Sequence, residues 1–341
     1  MQHKLTKGPL LNQEGELNEA GYAFSLVKEY SRKSIKKLKW RIKEWDYYYV
    51  GNKDYGVALT IADNSYMSLV SVSVLDFSTK KEFSKSIIHW FTHGKVGLPS
   101  TSVSGDVVYE KKNFSMAFYN EGEQKHLVCK MKGVDKGRNF ECDIRLTRTN
   151  KGSMVIVTPF TKKGHFYYNQ KINCLEASGY ALLGETRLEF TNTESYGVLD
   201  WGRGIWTYKN TWYWSSMNGI FAGKRIGLNL GYGFGDTSKA SENVFFYDDE
   251  VYKLNDVTFN IPQKVNGEYD YMAPWTMTSI DKKISLKFTP SYDRVFDTNA
   301  LIIQSTGHQV FGSFSGYLYA DKKKIEFEDI PGFAERVYNR W

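Results

Sequence analysis

Residues 196–243 read YGVLDWGRGIWTYKNTWYWSSMNGIFAGKRIGLNLGYGFGDTSKASEN, and four of the chain's nine tryptophans fall within them (Trp201, Trp206, Trp212 and Trp214). Side chains of an extended segment alternate between two faces. Counted from Gly204, the residues Trp206, Tyr208, Asn210, Trp212 and Trp214 share one face; Ile205, Thr207, Lys209, Thr211 and Tyr213 share the other. In the next run Gly231, Gly233 and Gly235 are set against Tyr232 and Phe234. A glycine within a strand leaves room for a close neighbour, either a ring or a bound molecule. An aromatic wall beside a glycine floor, with Asp200, Arg203, Asp236 and Glu242 at the strand ends, reads as a pocket. The same pattern also fits a barrel core in which tryptophan is bulky filler. Both readings stand at this point.

Working outward, the chain repeats the strand signal. YGVALTIADNSYMSLVSVSVLDF, SIIHWFTHG, DVVYEKKNFSMAFYN, HLVCKMKG, FECDIRLTRT and SMVIVTPF are short apolar alternations. Polar turns near Gly105, Gly122, Gly137 and Gly152 separate them. Such a series predicts an antiparallel barrel or sandwich. Between Ile35 and Trp45, apolar Leu38, Trp40 and Ile42 alternate with Lys37, Lys39, Arg41 and Lys43, which predicts a half-buried strand with a basic outer face. Residues 1–20 read as an arm. The stretch Thr161–Asn173 marks a boundary, giving one β-domain over 21–165 and a second over 166–341. PGFAERVYN near the C-terminus reads as one helical turn.

At 341 residues with 41% hydrophobic and 16% aromatic content, the chain has room for two β-domains with aromatic-lined interiors. A net charge of +7 implies mild attraction to anions and leaves peripheral membrane contact open, without the footprint of a nucleic-acid binder. Three cysteines (Cys129, Cys142, Cys174) lacking a CxxC spacing fit reduced thiols in a cytoplasm. The N-terminal residues are too polar for a secretory signal, and no run of about 18 apolar residues predicts a spanning helix. The oligomeric state is not legible.

The usual catalytic signatures are absent. The segment closest to a serine elbow, Gly312-Ser313-Phe314-Ser315-Gly316, has phenylalanine at its centre. Gly231-x-Gly233-x-Gly235-Asp236 lacks the dinucleotide spacing and carries an acid where a pyrophosphate would sit. His89 and His93, about 13 Å apart in an extended chain, cannot share a metal. No metal and no organic cofactor is expected. What remains is acids among aromatics. A carboxyl desolvated by rings has a raised pKa and can act as a general acid, and ring faces stabilise developing positive charge. Asp200 and Asp236 lead as candidate acids, with Glu242 next; Trp201, Arg203, Trp206, Tyr208, Trp212, Trp214, Tyr232 and Phe234 are the candidate ligand-binding set. An Asp200–Arg203 salt bridge is the competing structural role for that pair. Asp293-Arg294 and Glu335-Arg336 read as fold-closing ion pairs.

LDWGRGIWTYKNTWYWSS, NLGYGFGDTSKASEN and GFAERVYNRW, with the earlier IKEWDYY and DYGVALTIADNSY, resemble the domain-of-unknown-function family 2804 over nearly the whole chain. At fold level that family looks like a distant relative of the calycin-type group containing carotenoid 1,2-hydratases and certain fungal Diels–Alderases. The resemblance implies an all-β fold of two tandem lipocalin-like antiparallel barrel or sandwich domains with an apolar ligand pocket. It transfers no catalytic residue. The functional expectation is therefore binding of an apolar small molecule (lipid, polyene or isoprenoid-like). The alternative is a cofactor-independent hydratase, isomerase or cyclase using a pocket carboxylic acid.

Overall fold

The strand Tyr196–Ile205, from the quoted stretch, is buried along its whole length. It lies between Lys43–Gly51 and Phe166–Leu183, both antiparallel to it. Its two faces serve two different interiors. Leu199, Trp201 and Ile205 join the apolar core of the first sheet, whereas Val198 and, just beyond the strand, Trp206 pack in smaller clusters that include residues of the second sheet. Gly202 is required by close approach: a Cβ there would lie 2.2 Å from the Trp45 indole.

The computed structural model describes residues 2–300 and 303–340. Among these, the first sheet has 13 strands. Its main path runs from Lys81–Trp90 through Met67–Asp76, Tyr55–Asp63, Lys43–Gly51, Tyr196–Ile205, Phe166–Leu183, Arg138–Thr147, Gln124–Asp135 and Phe114–Glu121 to Val107–Lys111. The sheet curls until Lys85, on its first edge strand, donates to the carbonyls of Lys132 and Gly133. The second sheet has nine strands, with Lys209–Phe221, Lys323–Arg340, Ile303–Ala320 and Ile284–Ala300 as its long central members. Its own core includes Trp275, Phe288, Phe314 and Leu318. The fold is all-β: two curled antiparallel half-barrels, in the lipocalin-like manner expected from the strand pattern.

Several local expectations are corrected. The hydrogen-bonded sheets change between Ile205 and Lys209, whereas the boundary was expected at 165/166; Phe166–Leu183 and Tyr196–Ile205 are strands of the first sheet. Residues 32–34 and 39–41 form 3₁₀ turns, with Leu38 left-handed between them (φ 50°), and a strand starts only at Lys43. PGFAERVYN is no helical turn; it belongs to the strand Lys323–Arg340. The arm is tied down: Leu5, Leu10 and Leu11 are buried, Gly8–Pro9 pairs with Lys28–Glu29, and the His3 amide donates to Lys239. Cys129 and Cys142, distant in sequence, are cross-strand partners, buried and unbridged. Among the described residues no helix is long and apolar enough to cross a membrane.

Candidate functional site

The face of Tyr196–Ile205 that carries Asp200 looks onto a cavity of about 450 Å3 between the two sheets. Trp45 and Tyr47 from the neighbouring strand, Tyr167 and Lys171 from the strand on the other side, and Thr60 and Ala62 beyond line one wall. Trp212 and Trp214 of Lys209–Phe221, Arg294, Gln309 and Glu335 line the opposite one, with Trp206 and Phe234 at an end. Period-2 alternation explains the membership: 45 and 47, 212 and 214, and 335, 337 and 339 are each one face of one strand. The rings interlock edge to face, with Trp206 5.2 Å from Trp45 and Phe234 5.5 Å from Trp212.

Polar groups gather at the buried end. Lys171 Nζ lies 3.2 Å from Asp200 Oδ1, 3.7 Å from Glu242 Oε2 and 4.3 Å from the centre of the Trp214 ring. Asn169 Nδ2 donates to Asp200 Oδ1 at 2.5 Å and to the Trp201 carbonyl at 2.8 Å, fixing the carboxylate. Trp214 Nε1 donates to Asn229 Oδ1, whose Nδ2 donates to the Glu242 carbonyl. Glu335 accepts from Trp212 Nε1 at 2.8 Å and from Gln309 Nε2 at 3.1 Å, and Arg294 Nη1 donates to Gln309 Oε1 at 3.0 Å. Three buried carboxyls thus gather around the Lys171 ammonium, with the Arg294 guanidinium in the opposite wall as the other nearby cation. Burial pushes the Glu335 carboxyl up to about 7, against the opposing effects of the Trp212 hydrogen bond and the Lys171 charge. Burial raises Glu242 as well, with Lys171 pulling the other way.

Gly231 is the part of the glycine floor that matters here. A Cβ at Gly231 would come within 2.4 Å of Glu242 Oε1 and 3.0 Å of the Tyr213 carbonyl, so the bare backbone makes room for the acid. Gly231→Ala is expected to push the Glu242 carboxyl away from Lys171 and to destabilise the protein by about 1–3 kcal/mol, read by urea unfolding. An unchanged midpoint would show that the carboxyl moves freely.

Of the residues singled out in sequence, the fold brings Asp200, Glu242, Trp206, Trp212, Trp214 and Phe234 to this cavity. The others lie elsewhere. Trp201 and Arg203 are an odd number of residues from Asp200 and point into the first barrel. There Arg203, fully buried, pairs with Asp46 at 2.9 Å, donates to the carbonyls of Trp45 and Pro99, and packs over the Trp201 ring. The expected Asp200–Arg203 bridge is therefore replaced by Asp200–Lys171. Asp236 is exposed and accepts from the Ser238 amide, which lowers its pKa. Tyr208 is 41% exposed, beyond the strand that carries Trp212. Tyr232 stacks on Tyr213 at 4.5 Å and touches only a pinch of about 10 Å3 beside the cavity. Gly233 and Gly235 lie past the strand end with positive φ, so Phe234 turns in while Tyr232 does not.

Sequence reasoning missed Lys171, Glu335, Trp45, Tyr47 and Gln309. The expected adjacent ion pairs do not form: Arg294 bonds Glu82, Asp293 bonds His308, and Arg336 donates to the Tyr213 hydroxyl. Neighbours along a strand point to opposite faces, so neither pair could close on itself. Among the described residues no group of three or more His, Cys, Asp or Glu side chains could hold a metal ion.

The family model for Domain of unknown function (DUF2804) matches residues 2–341. The chain belongs to that family. No curated protein matches this DUF2804 chain. Among solved structures, it is similar to a protein of Nitrosomonas europaea provisionally assigned as AttH, with 11% identity, a TM-score of 0.55, and coverage of 90% of this chain and 96% of the other. It is also similar to CghA in complex with Sch210972, at 9% identity and a TM-score of 0.53, covering 97% of both chains. Kievitone hydratase from Nectria haematococca aligns over 98% of each chain at 12% identity and a TM-score of 0.48. At such identities the likeness establishes the fold alone. The family read from the motifs is thus shown, and the likeness of fold extends to the Nitrosomonas europaea protein and to CghA.

Proposed function

We propose that the protein binds an apolar small molecule, of lipid, polyene or isoprenoid-like character, in the cavity between its sheets. One observation carries the reading: about 450 Å3 walled by Trp45, Trp206, Trp212, Trp214 and Phe234, with ionisable groups concentrated at the buried end. Small-molecule sites are of this size and are similarly apolar, with a few convergent polar groups. CghA, which shares the fold, was crystallised with the small molecule Sch210972. The buried groups suit a ligand with one polar end, since Lys171 and Glu335 can each donate to an oxygen there. Organic extraction of the purified protein followed by mass spectrometry tests the proposal. One recurrent apolar species in stoichiometric amount is expected, and a protein that comes out empty and also excludes apolar probes overturns it.

A second reading is acid catalysis on an unsaturated substrate, favoured by Glu335. A carboxyl pushed up to about 7 is poised to give a proton near neutrality. In such a step the Glu335 proton bonds to one alkene carbon and the π electron pair forms that bond. The positive charge left on the other carbon is shielded by the ring faces of Trp212 and Trp214 until water adds and gives up a proton to the Glu335 carboxylate, or until an adjacent C–H proton leaves to that carboxylate. Asp200 and Glu242, held around Lys171, would orient the substrate.

A further inference from the structure

One end of the molecule carries exposed aromatics and lysines together, beside the mouth of the cavity. Trp40 is 56% exposed, Trp90 58% and Phe91 69%. Trp90 lies on the same face of Lys81–Trp90 as Ser86 and Ile88, which line the cavity, and is the cross-strand partner of Met67, which lines it too. Ser86, Ile88 and Thr298 are exposed while Lys171, Asp200 and Glu335 are buried, so the mouth opens at this rim.

Hydrogen bonds lock the rest of the face to the rim. The amides of Phe91 and His93 donate to the carbonyls of Tyr66 and Ser65. The Ser65 hydroxyl donates to the Ile42 carbonyl and accepts from Arg32. Arg32 also packs against Gly94, and Arg41 donates to the carbonyl of Trp206, itself a cavity residue. The segment so held carries Trp40 with exposed Lys33, Lys36, Lys37 and Lys39, and the facing loop adds exposed Lys95. Of the acids at its margin, Glu16 is engaged by Lys163 at 2.9 Å, and exposed Glu14 lies near the same lysine.

Monomeric proteins seldom expose aromatics of this size in a group, and a rim of lysine around them narrows the partner. Tryptophan and phenylalanine settle at the headgroup level of a bilayer, and clustered lysines are drawn to its anionic lipids. We propose that this face docks on an anionic membrane surface and sets the cavity mouth against the lipid, the natural reservoir of an apolar ligand. The identity of the ligand as apolar rests on the cavity reading above; the docking itself does not.

The experiment is co-sedimentation of the purified full chain with vesicles of phosphatidylcholine alone and of a phosphatidylcholine–phosphatidylserine mixture, with no cavity ligand added. The chain is expected to pellet with the mixed vesicles, to be released by salt, and to bind phosphatidylcholine weakly. Replacing Lys36, Lys37 and Lys39 together with glutamate should lower partitioning on the order of 100-fold. Trp90→Ser with Phe91→Ser should lower it by about tenfold. These side chains are exposed, so the variants should fold, and Lys322→Glu, at the turn preceding the 18-residue strand Lys323–Arg340, should bind as before. The inference is overturned if neither vesicle binds, if Lys322→Glu weakens binding as much as the triple change, or if the face instead retains a single-stranded oligonucleotide while ignoring lipid. Because no ligand takes part, failure here leaves the cavity reading intact, and an empty cavity leaves docking intact.

Discussion

Replacing Glu335 with glutamine will flatten the pH dependence of stability near neutrality. In the native protein burial raises this carboxyl from an ordinary 4.5 to about 7, so the folded state holds a proton that the unfolded chain releases. The sign follows from linkage: the stabilisation is present below about 4.5 and is lost as pH rises through about 7. Over that window the loss amounts to about 3 kcal/mol. Glutamine keeps the shape and an acceptor for Trp212 Nε1 but cannot ionise, so Glu335→Gln should equal the parent in acid and exceed it in stability at alkaline pH. Urea unfolding across the range reads this directly. If the protein catalyses proton addition to an alkene, the same change should lower turnover by roughly 10²–10⁴-fold while leaving ligand affinity near its original value. Because buried Lys253, lowered to about 7, makes stability rise with pH from neutrality upward, the readout is the difference between parent and variant, and a difference that does not change with pH through neutrality would contradict the assignment of the proton.

Arg203→Met will have the larger effect on stability. The guanidinium is fully buried, faces Asp46 at 2.9 Å and satisfies the carbonyls of Trp45 and Pro99. Burial already raises the Asp46 pKa, and Arg203 is the main opposing influence. Removing it leaves a buried carboxyl without its cation, which typically costs about 3–5 kcal/mol. The variant should recover part of the loss in acid, where Asp46 takes a proton, and a further Asp46→Leu change should restore more. Since Arg203 points away from the cavity, ligand binding per folded molecule should stay unchanged. A loss below about 1 kcal/mol would place the pair among marginal ion pairs despite its burial.

These two residues also show how far the sequence could be read. Alternation in LDWGRGIW was sufficient to separate Asp200 from Arg203, because residues three apart in a strand face opposite ways; proximity in sequence suggested a bridge that pleating forbids. The aromatic face of Trp212 and Trp214 was legible for the same reason, as was the all-β architecture. Lys171 and Glu335 were not. Lys171 falls in YYNQKINC, where polar residues and a left-handed Cys174 (φ 55°) imitate a linker, yet the segment is one long strand with an irregular register between Ile172 and Leu175. Glu335 reaches Trp212 across 123 residues through the pairing of Lys209–Phe221 with Lys323–Arg340. Register between distant strands is set by the whole sheet, so no local pattern announces which acid will meet which ring.

The cavity itself is the central claim, and blocking it is the most direct test. N-phenyl-1-naphthylamine, a neutral apolar fluorophore, should bind the parent protein saturably with one site per chain. Ala62 lines the cavity and is buried, so Ala62→Phe should fill part of the space and remove that binding while leaving the cooperative unfolding transition in place. Equal probe binding by parent and variant, or none by either, would contradict the account.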